Sequence, residues 1–270
     1  MKTAAEALAE FEAARRGFST TRLTGWLIGC AVVAFYVLAC NLVHFDLGKL
    51  VAGIPKIWHW VLQAWPPDYR ELPLFLWRTA ETVAMAAMGT TIATIIGVPF
   101  AILASRNITP FPGFYHPMRW LLNALRGIDS FVFALLFVAA VGLGPFAGVL
   151  GIAFHTSGTI AKFFADQIES ANLAPYESIR ATGARRFTAL AFGLLPDLQP
   201  LLLSTTLFWW EFNIRASTVL GVVGAGGIGQ ELKNSMDLLD FSRLLTIIAV
   251  ILVVVTALDG LSGWLRKKLV

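Results

Sequence analysis

Apolar runs long enough to cross a lipid bilayer recur along this chain, and they constrain it more than any other feature. Residues 26–43, 82–103, 146–164 and 244–265 are mostly apolar over about 18 or more positions. Together with shorter runs at 131–141 and 198–212, they leave little but connectors between them. An α-helix needs about 20 such residues to span a hydrocarbon core roughly 30 Å thick. Of 270 residues, 57% are hydrophobic and 14% charged, with a mean hydropathy of +0.69. Ordinary soluble domains carry roughly 25% charged residues. A water-soluble fold cannot hide this much apolar surface, so lipid is the solvent for most of the chain. The expected fold class is an all-α membrane protein with about six transmembrane helices.

The connectors carry their own signals. Residues 3–16 are rich in Ala and Glu without Gly or Pro, which favours a short exposed helix. Residues 1–24 are read as an N-terminal segment and 25–270 as the membrane domain, the first apolar run being a retained helix rather than a cleaved signal. In the long connector 44–78, Ile57-Trp58-His59-Trp60-Val61-Leu62 and Trp65 suit an interfacial helix, ended by Pro66-Pro67-Asp68. The second span is expected over 82–103, its Ala, Gly and Thr allowing close helix packing. A polar, Pro-rich connector follows over 105–126. Gly142-Leu143-Gly144-Pro145 turns a helical hairpin, with Pro starting the fourth span. The polar segment 166–196 precedes a fifth span over 198–212. A Gly-rich stretch, 221–229, leads through polar residues to the last. Cys30 and Cys40 lie inside the first run and read as small lipid- or helix-facing side chains rather than a disulfide.

Lys and Arg set the orientation. With six spans, one side holds Lys2, Arg15, Arg16, Arg22, Arg106, Arg119, Arg126, Arg180, Arg185, Arg186, Arg266, Lys267 and Lys268. The other holds Lys49, Lys56, Arg70, Arg78, Arg215, Lys233 and Arg243, a ratio of thirteen to seven. The positive-inside rule therefore places both termini in the cytoplasm of a multi-pass inner-membrane protein. The basic excess needs no nucleic acid, since no basic run is interleaved with aromatics.

One cytoplasmic connector carries a motif. Glu177-Ser-Ile-Arg-Ala-Thr-Gly183 is followed after nine residues by Gly193-Leu-Leu-Pro196. This resembles the EAA loop of ABC-importer permeases: E-A-A, three residues, G, nine residues, I, one residue, L-P. Ser178, Ile179 and Gly193 depart from the pattern, whereas Glu177, Gly183, Leu195 and Pro196 keep it. Such a loop must be two short helices with a sharp joint, lying flat against a soluble motor. Glu177–Ala181 is expected as the first helix, Gly183 as the turn and 187–193 as the return. From about residue 75 onward the resemblance sharpens to the permease subunit of phosphonate/phosphite importers. It is carried by Arg126-Gly-Ile-Asp-Ser-Phe-Val-Phe, Val141-Gly-Leu-Gly-Pro-Phe-Ala-Gly-Val-Leu, His155-Thr-Ser-Gly, Ile179-Arg-Ala-Thr-Gly-Ala and Glu211-Phe-Asn-Ile-Arg-Ala-Ser-Thr-Val-Leu-Gly-Val-Val-Gly-Ala-Gly-Gly-Ile-Gly.

The resemblance implies an ATP-driven importer subunit for phosphonate, phosphite or a related phosphorus oxyanion. It implies as partners a second copy of this chain, a cytoplasmic ABC ATPase dimer that binds ATP and Mg, and a periplasmic phosphonate-binding protein. Glu177, Arg180, Ala181, Gly183, Leu195 and Pro196 would then couple to the ATPase. No cofactor is expected on this chain, which lacks a phosphate-cradling G-x-x-x-x-G-K-[S/T] loop. An ion-gradient-driven secondary transporter is the alternative, disfavoured by the lack of a clear internal repeat and by acidic residues that fall near span ends. A membrane enzyme lacks a catalytic constellation: no Ser/His/Asp set and no metal-ligand spacing is visible.

Gly224-Ala-Gly226-Gly-Ile-Gly229 satisfies G-x-G-x-x-G, but twenty positions on lies Ala249-Val250-Ile251 rather than the acidic residue a dinucleotide site needs. The stretch reads instead as irregular backbone between spans five and six. There Gly226 and Gly227 either face the path or form a plain structural turn. Glu211 and Arg215, four apart at the outward end of span five, either fix a helix end or serve the path. Asn213 between them, and His155 and Ser157 on span four, are further path candidates. His155 is equally readable as a hydrogen bond between helices.

Overall fold

The computed structural model describes residues 4–269, with side chains described at Glu6 and from Thr24 to Lys268. Every regular element among them is helical. By its internal contacts the chain divides into a first unit ending at His59 and a second beginning at Trp60.

The first unit contains α1 (Ala4–Leu42) and most of α2 (Leu47–Gln63). α1 is continuous through residue 24, and its portion Thr24–Leu42 is long and apolar enough to cross a membrane. The exposure expected of residues 3–16 and the charges at Lys2, Arg15, Arg16 and Arg22 lie outside the described side chains. Cys30 and Cys40 are free thiols. α2 starts ten residues before the expected interfacial helix and buries none of its side chains, as an amphipathic helix does before it meets a membrane surface.

The second unit is built around α3 (Leu72–Ala104) and α6 (Pro145–Ser170). Their contact is close because glycines remove side chains where backbones meet. Gly89 faces Ile152 and the Val149 carbonyl, and Gly97 faces Ile160 and the Ala161 backbone. The span expected from Thr82 begins at Leu72, where Pro73 fits the first helical turn. Arg78, read as the last residue of the connector, pairs within the helix with Glu81 at 2.9 Å.

Among the described residues, four helices are long and apolar enough to span: Thr24–Leu42, Leu72–Ala104, Arg186–Gly221 and Phe241–Lys268. The hairpin's first arm, α5 (Ser130–Val141), has only 12 residues, or about 18 Å of helix. It is preceded by α4 (Tyr115–Gly127), which lies in the stretch expected to be a polar connector. The two meet at a bend of 85°. α6 has 26 residues, but its polar side chains dilute its hydropathy. Thr156, Ser157 and Thr159 are buried against protein, so the helix need not be apolar all round. The crossings are therefore unlike one another in kind. α7 (Ala174–Ala181) and α8 (Arg186–Ala189) lead through a π-helical turn, Leu190–Leu194, into α9 (Leu195–Gly221). This extends the fifth span well beyond the expected 198–212. α10 (Ile228–Asp237) occupies the polar stretch before α11 (Phe241–Leu269).

Candidate functional site

The segment after α6 folds as two short helices about a sharp joint. The Asn172 side chain accepts a hydrogen bond from the Ala174 amide at 3.0 Å and starts α7, with Pro175 in its first turn. Glu177 also lies in that first turn, where its charge complements the helix dipole. α7 buries none of its residues. Arg180 donates to the Ala184 carbonyl at 3.0 Å across the joint. Gly183 forms the joint at φ +84, and a Cβ there would touch nothing. The chain returns through α8 and the π turn, and Pro196 sits in the first turn of α9. Gly193, a departure from the loop pattern in the sequence, has a physical reason. Its missing side chain admits the Tyr176 backbone, to which a Cβ would come within 2.8 Å. Sequence reasoning missed Phe187, which is 82% exposed beside α7. Phe187 also borders an apolar cavity of about 180 Å³ formed with Val98, Phe164, Leu190 and Leu198.

At the opposite end of the bundle, the glycine segment is clamped rather than open. Gly224, Gly226 and Gly227 all have positive φ. The Gly144 amide donates to the Gly224 carbonyl at 2.9 Å, tying the segment to the α5–α6 turn. Gly226 lies against Pro145 and Gly227 against the Thr82 hydroxyl. That hydroxyl accepts from the Ile228 amide at 2.9 Å and starts α10. Glu231 on α10 is buried between Arg243, at 2.8 Å, and Arg78, at 3.6 Å. This ion network joins α3, α10 and α11 and was not visible in the spacing of the sequence.

The remaining candidates meet at mid-bundle. Asn213 is fully buried. Its amide donates to the Thr90 hydroxyl at 2.9 Å and the Thr156 hydroxyl at 3.1 Å, so it ties α9 to the middle of α3 and α6. This depth corrects the placement of Glu211 and Arg215. They flank Asn213 in the interior of α9 rather than at its outward end, because the helix continues to Gly221. The same correction applies to the acidic residues expected near span ends: Glu211 and Asp259 both lie well inside their helices. Arg215 pairs with Glu211 and lies 3.4 Å from Asp259, while Arg266 donates to Glu211 at 2.8 Å. The result is an alternating chain, Asp259–Arg215–Glu211–Arg266, between α9 and α11. Among the described residues, no group of three or more His, Cys, Asp or Glu comes together to hold a metal.

His155 explains the break between α4 and α5. The break leaves backbone carbonyls without helical partners. His155 Nδ1 donates to the Ile128 carbonyl at 2.8 Å, and Asp129 caps α5 by accepting from the Phe131 amide. Ser157 turns back on its own helix, donating to the Phe154 carbonyl at 2.8 Å. His155→Phe is expected to lower stability by about 1–3 kcal/mol, the cost of stranding that carbonyl. His155→Asn, whose amide can reach the same oxygen, should recover most of it. Thermal unfolding of the purified protein in detergent checks both; equal melting temperatures for His155→Phe and the unmodified chain would remove His155 from the bend.

Residues 97–270 match the family described as binding-protein-dependent transport system inner membrane component. Over 252 residues the chain is 46% identical to HtxC of Stutzerimonas stutzeri, provisionally named a phosphite transport system permease protein, covering 93% of this chain and 86% of that one. It is 39% identical over 257 residues to the phosphite transport system permease protein PtxC of the same organism, covering 93% and 92%. Among solved structures, a chain of the MetNI methionine ABC transporter in an inward-facing conformation superposes with a TM-score of 0.66. The superposition covers 75% of this chain and 99% of that one at 18% identity, a likeness of fold.

Proposed function

The chain belongs to the family of binding-protein-dependent transport system inner membrane components, and from that premise we propose that it is the membrane-spanning subunit of an ATP-driven importer for phosphonate or a related phosphorus oxyanion. The substrate class rests on the phosphite permeases that cover nearly the whole chain. The coupling role rests on one structural observation: an exposed helix, α7, held by a left-handed Gly183 beside the chain that feeds α9. Family membership favours this reading over the ion-gradient alternative.

On this reading two copies enclose a path, and two ATPase subunits carry ATP and Mg. An external binding protein delivers the oxyanion. Closure of the ATPases draws the two α7 helices together. The Gly193–Tyr176 contact passes that motion to α9, and the bundles rock between outward- and inward-open states. Affinity resides in the external protein, so the membrane path needs only weak contacts. Glu177, Arg180 and Ala181 on α7 form the docking surface, with Phe187 beside them as an apolar contact. Leu195 and Pro196 carry the motion into α9. Ligand screening of the cognate external binding protein tests the substrate class. Selective binding of phosphonate, phosphite, hypophosphite or a phosphate ester is expected; selective binding of an amino acid would contradict it.

Both termini are placed in the cytoplasm. Moving Arg215 and its cluster partner Arg266 into the bundle leaves six basic residues on the external side against twelve, so the asymmetry holds. Reporter fusions at Val270 and within Pro66–Tyr69 are expected to report cytoplasm and periplasm respectively. A periplasmic signal at Val270 would put α7 on the wrong side for ATP.

A further inference from the structure

α9 turns one face away from the rest of its own bundle. Phe208, Phe212, Arg215 and Val219 follow at helical spacing and are all exposed. The Arg215 side chain is 51% exposed, half a turn from Asn213 and thus at the depth where α9 meets the middle of α3 and α6. Charge at that depth costs about 2.5–3.5 kcal/mol or more against hydrocarbon. Glu211 and Asp259 pair with this charge but leave half of the side chain exposed, so in a two-copy transporter the face suits the water-filled path between the copies.

We propose that Arg215 is a membrane-embedded contact for the transported oxyanion, a station between the binding protein and the cytoplasm; this rests on the function proposed above. A guanidinium offers paired donors that match two oxygens of a phosphorus oxyanion. Glu211 holds the Arg215 side chain and is itself anchored by Arg266 at 2.8 Å. Asp259, at 3.4 Å, is the looser partner and the one an arriving oxyanion displaces. The four side chains sum to zero charge, so a bound anion leaves the cluster net negative. This favours release over retention, as a transport path requires.

The test uses the complete transporter in proteoliposomes, with Cys30→Ser, Cys40→Ser and Phe212→Cys placing a single thiol one turn from Arg215. Thiol-reactive methanethiosulfonates carrying a sulfonate or a trimethylammonium group are compared, each normalised to its rate with a free thiol. The anionic reagent is expected to react about threefold or more faster, and phosphite or methylphosphonate should slow it. Adding Arg215→Gln leaves Glu211 and Asp259 behind and should reverse the preference. In the unlabelled protein, Arg215→Gln should cut uptake per folded complex by about tenfold or more, with Arg215→Lys, which keeps the charge without the fork, in between. Absence of labelling, an unchanged charge preference in Arg215→Gln, no protection by either oxyanion, or uptake within about twofold of the unmodified protein would each overturn the proposal. The two readings fail separately. If the unmodified transporter moves no phosphorus oxyanion the substrate reading falls, while the reagent preference still reports whether Arg215 faces an anion path.

Discussion

Gly183→Val is expected to cut ATP-driven uptake by about tenfold or more while the subunit remains folded in the membrane, and Gly183→Asn is expected to keep most of it. The two substitutions differ in backbone preference more than in packing, because a Cβ at Gly183 meets nothing. At φ +84 a β-branched residue is strained by about 1–2 kcal/mol, whereas Asn visits left-handed conformations readily. Gly183→Pro does more: it fixes φ near −65° and removes the amide that donates to the Arg180 carbonyl at 3.1 Å. The strain is relieved by rotating α7, which is exposed and held mainly by its joint and the Gly193–Tyr176 contact. A rotated α7 docks poorly on the ATPase. Uptake and ATP turnover in reconstituted complexes measure this. Equal, normal transport in the Val and Asn variants would show that the joint does not set the docking geometry.

A different failure is expected at the other end of the bundle. If Gly226 and Gly227 faced the path, replacing either with Val would slow uptake by an otherwise folded subunit. The packing points instead to loss of folded subunit. Gly227 sits against the Thr82 hydroxyl that starts α10, and a Cβ at Gly226 would come within 2.9 Å of Pro145. Each substitution therefore adds overpacking of about 1–3 kcal/mol to backbone strain of about 1–2 kcal/mol. Together these are a large fraction of a domain's net stability. The yield of monodisperse subunit after detergent extraction, with its melting temperature, is the measurement. Normal yield and melting with slowed uptake would return this segment to the path as a gate.

What the sequence made legible followed from short-range signals. The apolar runs announced helices in lipid because hydropathy is summed over neighbours. The joint at Gly183 was visible because its neighbours carry a spaced motif. The glycines at 224–227 marked turns, though not what the turns press against. The bend at Ile128–Asp129 was hidden because α4 is amphipathic and reads as a polar connector. Its stabilising donor, His155, lies 27 residues away. α6 looked like an ordinary span, yet its polar residues face inward, and that is decided by its neighbours. Glu211 and Arg215 were placed at a helix end because the apolar run stops near Phe212. Their partners on α11 allow α9 to continue, and only tertiary structure supplies those partners. Gly193 looked like an imperfection in a motif until the Tyr176 backbone filled the space.

The most direct test of the central claim is uptake by the complete transporter in proteoliposomes, with the binding protein and radiolabelled phosphite or methylphosphonate supplied on one side and ATP on the other. The account predicts accumulation that requires ATP, requires the binding protein and survives ionophores that collapse proton and sodium gradients. Accumulation that proceeds without ATP and vanishes with the ionophores would contradict it.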